Sequence, residues 1–349
     1  MKDGRLLKND TELSEKEARI INKILKNFDI SALNIEKVRS VYKIKTASGN
    51  LCLKRLKHGK NKAENGNELV NLLERNGFNQ VPKYYKTKEN NLFIKYKGLY
   101  FYLTEWIDGK ECNLDEIKEV EACARLLANF HKATSNVEAN KFNIRNNIKS
   151  WPEVYKKKVY DIKNYEKIIA NKKIPTSFDI YFKENINFFL NRAMLSLKIL
   201  NTSEYYKITS NSKGNTLCHD SFYYQNVIKK DDEYYIIDLD SIVIDLQIKD
   251  LGKFIRRLMS KKSYKWDFSK ALKIIEAYST IKKLDKPQLE VMLAIIIFPH
   301  TFWKLGRKRY IKCKHWSEQK FNHKLKKIIA NMELEEKFTE DFLAYLDKI

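Results

Sequence analysis

The feature that most narrows the fold is a change of apolar period at Asp108-Gly109. Before it, apolar residues alternate in short runs punctuated by turn residues; after it, they recur at three- and four-residue spacing. Val41–Thr46 and Leu51–Leu56 read as strands joined by Ala47-Ser48-Gly49-Asn50, and Leu92–Tyr96 with Leu99–Ile107 as a second hairpin about Lys97-Gly98. Residues 14–28 carry Ile20, Ile21, Ile24, Leu25 and Phe28 at helical spacing. Lys62–Asn76 carries Leu69, Leu72 and Leu73 on a buried stripe, with Gly77 capping its end and Pro82 beyond. Past the break, Glu116–Lys132, Phe178–Leu200 and Leu289–Phe298 are further helix candidates. This order predicts an α+β, bilobal architecture: a small antiparallel-sheet lobe over 1–107, a large mainly helical lobe over 108–349, and a cleft at the hinge.

The main strand-like interruption of the helical part, LCHDSFYYQNVIKKDDEYYIIDLDSIVIDLQIKD from Leu217 to Asp250, carries the chemistry. A loop bears His219, Asp220 and Asn226, a turn follows at Asp231-Asp232, and a strand ends at Asp238 and Asp240. In phosphotransferases a loop asparagine and an aspartate ending the next hairpin hold Mg²⁺ on nucleotide phosphates, while a loop acid orients the acceptor hydroxyl. On a strand, Asp238 and Asp240 share a face and repel unless a cation or base sits between them. Mg²⁺ with Asn226 completing the oxygen shell answers this, and the spacing to Asn226 favours it over a strand-end turn capped by aspartate.

Other positions fit the same chemistry. Lys54 shares a strand face with Cys52 and Leu56 and is placed to reach nucleotide phosphates, with Glu64 or Glu68 on the following helix as its acid. Leu103–Ile107 would be the hinge, main-chain groups near Glu105 and Ile107 meeting an adenine edge and Trp106 filling apolar space. No glycine-rich phosphate loop occurs, and the chain has only 10 glycines in 349 residues, so Arg39 and Ser40 in Ile35–Ser40 would have to approach the phosphates instead. Asp250 reads as a helix N-cap or as a brace for the loop before it, the cap being the simpler. His131 falls on an apolar helix face, as a satisfied core histidine does. The stretch WKLGRKRYIKCKHW (Trp303–Trp316) suits single-stranded nucleic acid or a solvated helix with buried aromatics; without a nucleic-acid motif the second is preferred.

Lysine and arginine number 67 against 44 acids, a net charge of +23 spread along the chain. That balance fits a solvated surface or an anionic partner. Five dispersed cysteines form neither a zinc spacing nor a disulfide framework, so reduced thiols are expected. The amino terminus lacks an apolar signal-peptide core, and the run Val291–Phe298 is too short to span a bilayer. A soluble protein is expected.

Several segments together resemble a family: VYKIKTASGNLCLKRLK, ERNGFNQVPKYYKT, FYLTEWIDGKEC, LCHDSFYYQN, YYIIDLDSIVIDLQIKDLGKFIRRL and FPHTFWKLGRKRYIKCKHW. They are similar to the CotS family of spore-coat proteins, on the aminoglycoside-phosphotransferase-like branch of the protein-kinase-like fold, from about Lys37 to Ile329. The resemblance implies an endospore-forming bacterium, synthesis in the mother-cell cytoplasm, and deposition in the spore coat beside other coat proteins. It also implies an ATP and Mg²⁺ site with Lys54 at the phosphates and Asn226 and Asp238 on the metal.

One position departs. The wider family reads His-x-Asp-x-x-x-x-Asn, which places Ser221 where the aspartate belongs and Asp220 one residue early. Serine cannot accept a proton at neutral pH. Either the loop brings Asp220 about 3.5 Å further along, or the site binds without efficient transfer. Three functions follow: a spore-coat protein with a nucleotide site and weak or degenerate transfer; an ATP-dependent kinase acting on a hydroxyl of a small molecule or coat protein; a basic nucleic-acid-binding module.

Overall fold

The computed structural model describes residues 13–56, 61–138, 141–212 and 216–349. The amino-terminal stretch read for targeting lies outside them through residue 12. The strands are β1 (Asn34–Val38), β2 (Val41–Thr46), β3 (Gly49–Leu56), β4 (Tyr84–Tyr85), β5 (Ile94–Tyr96), β6 (Leu99–Glu105), β7 (Lys110–Glu111), β8 (Leu217–Cys218), β9 (Val227–Lys230), β10 (Glu233–Ile236) and β11 (Val243–Ile244). The helices are α1 (Glu15–Leu25), α2 (Asn61–Arg75), α3 (Ile117–Ala133), α4 (Trp151–Ala170), α5 (Ser177–Thr202), α6 (Tyr205–Asn211), α7 (Ile248–Met259), α8 (Phe268–Ser279), α9 (Lys286–Ile297), α10 (His300–Gly306), α11 (Glu318–Ile329) and α12 (Met332–Lys348).

The chain divides into two compact units, residues 1–112, 138–144 and 221–242 in the first and the remainder in the second. A single boundary after Ile107 therefore does not describe the division. Long-range hydrogen bonds draw the later segments back. β9 pairs with β7, Ile236 N–H donates to the Gln80 carbonyl at 2.8 Å, and the Asn65 amide both donates to and accepts from the Asn143 main chain at 3.0 Å.

In the first unit the strands run β1-β2-β3-β6-β4, antiparallel, with β5 also on β6. The β5–β6 turn has positive φ at both Lys97 and Gly98, the geometry that matches the twist of a two-residue hairpin. One sheet face packs Ile44, Leu51, Leu53, Phe101 and Leu103 against Ile21, Ile24 and Leu25 of α1 and Phe28 just after it. The other face carries Leu56 and Tyr102 against Ala63 of α2 and Tyr84. Period-two alternation therefore puts Lys54 opposite the main core.

Gly66 makes that second layer fit. A Cβ there would lie 2.0 Å from the Tyr84 hydroxyl oxygen. Gly66→Ala is expected to lower unfolding free energy by about 1–3 kcal/mol, read as a lower urea midpoint. Gly66→Ala combined with Tyr84→Phe should recover part of the loss.

The second unit is a helical assembly with a two-stranded β8–β11 pair. Phe302 stacks on Phe182 and Phe189 at 4.1 Å each. Trp303 is buried and Arg309 pairs with Glu318 at 2.8 Å, so the basic-aromatic stretch turns aromatics inward and cations outward or onto acids. Lys286–Ile311 is long and apolar enough by length and composition to cross a membrane, but 72% of its most apolar stretch is buried in the protein, as in a core helix.

Candidate functional site

Lys54 projects from β3 opposite Tyr102 of β6. Its ammonium contacts the Asp238 carboxylate and lies 3.0 Å from Asp240 Oδ2. Asp240 Oδ1 accepts the Tyr102 hydroxyl at 2.6 Å, and Tyr102 stacks on Tyr84 with centroids 5.6 Å apart. Burial pulls the Lys54 ammonium down, but the Asp240 and Asp238 carboxylates outweigh it and hold the group above its ordinary value. Burial and Asp240 together push both tyrosines well above theirs.

Asp238 and Asp240 do not share a strand face. β10 ends at Ile236; Asp238 is left-handed (φ 64), and Leu239–Ser241 is a short 3-10 turn pinned by buried Leu239. Aspartate tolerates this conformation better than most residues. The turn brings both carboxylates onto one ammonium, which removes the repulsion expected between them. Asn226 closes the 3-10 turn before β9, and its Nδ2 donates to the Ser221 carbonyl at 3.0 Å and hydroxyl at 3.2 Å. Its amide oxygen has no hydrogen-bond donor among the described residues.

Neither Glu64 nor Glu68 pairs with Lys54. Glu64 is exposed and Glu68 reaches Arg75 at 3.5 Å, because the inward face of α2 carries Ala63 and Gly66 and Tyr84 fills the space. Ile35–Ser40 is not a loop: Ile35–Val38 lie on β1, and only Arg39 and Ser40 form the turn. Arg39, at φ 56, pairs with Glu111 at 2.6 Å, and Ser40 is exposed. Glu105 N–H is taken by the Lys83 carbonyl at 2.8 Å and Trp106 N–H by Asn50 at 3.0 Å. Buried Ile107 keeps a main-chain N–H with no acceptor among the described residues.

In the second unit Asp220 stands at φ 62 with its carboxylate 2.9 Å from Lys253 and 3.1 Å from Lys249. Asp250 is not an N-cap. It lies inside the first turn of α7 and accepts the N–H groups of His219 at 2.6 Å and Asp220 at 2.9 Å. His131 Nε2 lies 3.3 Å from the same carboxylate and its Nδ1 2.8 Å from the Tyr278 hydroxyl, so this core histidine holds the brace.

Burial disfavours the Asp250 charge, but hydrogen bonding and charge from His131, with Lys253 and His219, hold it at about 2. A depressed carboxylate stabilises the fold above its unfolded value and loses that contribution as pH falls through the folded value. The expected loss is about 2 kcal/mol between pH 4 and 2. Asp250→Asn should flatten the urea midpoint across this window; an unchanged acid slope would contradict the assignment.

Residues 21–342 match the family described as spore coat putative kinase YutH. The chain belongs to this family. It is 25% identical over 269 residues to spore coat protein S of Bacillus subtilis (strain 168), covering 76% of each chain. Its fold is that of the kinase-like aminoglycoside phosphotransferases. The aminoglycoside phosphotransferase of Alicyclobacillus acidocaldarius superposes with TM-score 0.83 at 15% identity, covering 94% of this chain and 96% of that one. Spectinomycin phosphotransferase APH(9)-Ia, in complex with ADP and spectinomycin, gives 0.64 at 16%, covering 92% and 98%.

Tyr102, Tyr84 and the pair Lys249 and Lys253 join these residues only in the folded chain. Tyr102 sits directly opposite Lys54 only through the long-range β3–β6 pairing, which no hairpin register specifies. The lysines stand four residues apart around Asp250, a spacing that places them on one face of a helix.

Proposed function

We propose that this spore coat family member binds ATP with Mg²⁺ through Lys54, Asp238, Asp240 and Asn226, and transfers the γ-phosphoryl group to a hydroxyl slowly. The observation that carries the reading is the convergence of Asp238 and Asp240 on the Lys54 ammonium. Among the described residues no three His, Cys, Asp or Glu side chains cluster as a metal site. Two carboxylates and one amide oxygen nevertheless suit Mg²⁺, which takes one or two carboxylates from protein and the rest from phosphates and water. When bound, the ion would neutralise charge on the phosphates and free Lys54 to meet them. The free N–H of Ile107 is available to an adenine edge.

In the transfer, the acceptor oxygen bonds to the γ-phosphorus as the bridging P–O bond breaks. ADP departs, and the hydroxyl proton passes to a base. Asp220 is the loop's only carboxylate, and two ammonium groups occupy it. Ser221, at the position the family motif gives to aspartate, is neutral. Slow turnover follows from both facts, with positioning and metal electrostatics still in place. The location in the spore coat, with other coat proteins as neighbours, belongs to the same proposal and rests on family membership.

The test is thermal unfolding with ATP and Mg²⁺, ATP and EDTA, and neither. Stabilisation that needs both nucleotide and metal supports the reading. No shift at millimolar ATP and Mg²⁺ removes it. Binding to RNA or DNA that collapses between 50 and 200 mM salt, on the order of 10³–10⁵-fold, without a nucleotide response would favour the nucleic-acid alternative.

A further inference from the structure

The second unit carries an open cavity of about 720 Å³ that Asp220 lines. Its wall holds eight lysine and arginine side chains against two acids, Asp220 and Glu335. Both acids are already engaged: Asp220 by Lys249 and Lys253, and Glu335 by Arg192 at 2.9 Å. Lys249 is further satisfied by Asp245 at 2.5 Å.

That leaves cations without a carboxylate. Lys158 lies over the rings of Tyr155, Phe298 and Trp303 at 4.9, 5.1 and 5.0 Å, with no acid within ion-pair distance among the described residues. Arg256 donates to the Ile295 carbonyl at 3.1 Å and pairs with no acid there either. Burial with Arg256 and Lys249 pulls the Lys158 ammonium down to about 8, and burial with Arg256 and Lys158 pulls His300 on the same wall to about 2. An uncompensated positive field in a partly desolvated cavity is costly until an anion enters. Trp266 adds a second signal. It is 7% exposed, lines the cavity, and its indole N–H has no acceptor among the described residues.

We propose that this cavity binds a small hydroxyl compound bearing a carboxylate or phosphate, its anionic group seated by Arg256 and Lys158 and its hydroxyl at Asp220. The volume suits a molecule of sugar size, and the aromatic wall suits its apolar faces. A polycationic aminoglycoside would meet a wall whose basic side chains outnumber its acids eight to two. The proposal rests on the phosphotransfer reading for the fate of the hydroxyl, but not for the binding.

Calorimetric titration without nucleotide, at low salt and pH 7, compares glycerol 3-phosphate and gluconate with glycerol, choline and kanamycin. At least one anionic polyol should bind ten or more times tighter than glycerol, the better of the two identifying phosphate or carboxylate. Lys158→Gln and Arg256→Gln should each weaken that binding tenfold or more. The exposed pair Lys167→Gln/Lys198→Gln, which removes more charge elsewhere, should change it less than twofold. If Arg256→Gln fails to fold, Lys304→Gln on the exposed rim takes its place. Tighter binding of choline or kanamycin, absence of anion binding, or equal weakening by the Lys167/Lys198 pair overturns the proposal. Anion binding that persists in protein giving no ATP–Mg²⁺ thermal response keeps the cavity assignment and removes the nucleotide reading; the reverse result does the opposite.

Discussion

Ser221→Asp is expected to raise phosphoryl transfer by about 10²–10⁴, the usual contribution of a positioned general base. The Ser221 hydroxyl and carbonyl already accept the Asn226 amide at 3.2 and 3.0 Å. An aspartate there keeps an acceptor for that amide, so its carboxylate enters a prepared position. A serine hydroxyl has no basicity to offer at neutral pH. ADP formation, with water or an anionic polyol as acceptor, measures the gain. Should the variant bind ATP and Mg²⁺ yet turn over no faster than the native protein, the assignment of position 221 fails. Should the native protein be fast and Asp220→Asn abolish it, Asp220 is the base despite its two lysines.

Asp238→Asn should remove the metal-dependent part of nucleotide binding, weakening ATP–Mg²⁺ affinity by about 10²-fold or more, as expected when several kcal/mol of metal electrostatics are lost. Asp240 remains 3.0 Å from Lys54, so the ammonium keeps a partner and the fold survives. Asp238 is 36% exposed, and the change in unfolding free energy should stay within about 1 kcal/mol. ATP binding in EDTA should hardly change, and that contrast separates loss of the ion from general damage. Equal loss with and without Mg²⁺ would place the ion elsewhere.

The site was legible where local pattern fixes direction. Alternation along Leu51–Leu56 puts Lys54 on the face away from the main core, and turn chemistry at Lys97-Gly98 sets the β5–β6 hairpin. Glu68 and Arg39 were misplaced because spacing says which face a residue occupies but not what fills the space opposite. Tyr84, pressed onto Gly66, excludes a glutamate from Lys54; Glu111 captures Arg39. Local sequence makes Asp250 look like a cap because its true partners, the N–H groups of His219 and Asp220, lie 31 and 30 residues earlier in the chain.

Periodicity and the ordered motifs, by themselves, determined the α+β class, the hairpins and the helical remainder, and singled out Lys54, Asn226 and Asp238 as candidates, since these depend on neighbours a few residues apart. Only the tertiary structure decided that Asp238 and Asp240 meet on one ammonium and that cations of α4 and α7 line a cavity short of acids. Charge balance at a point depends on which distant segments fold onto it, and no local window of sequence contains that sum.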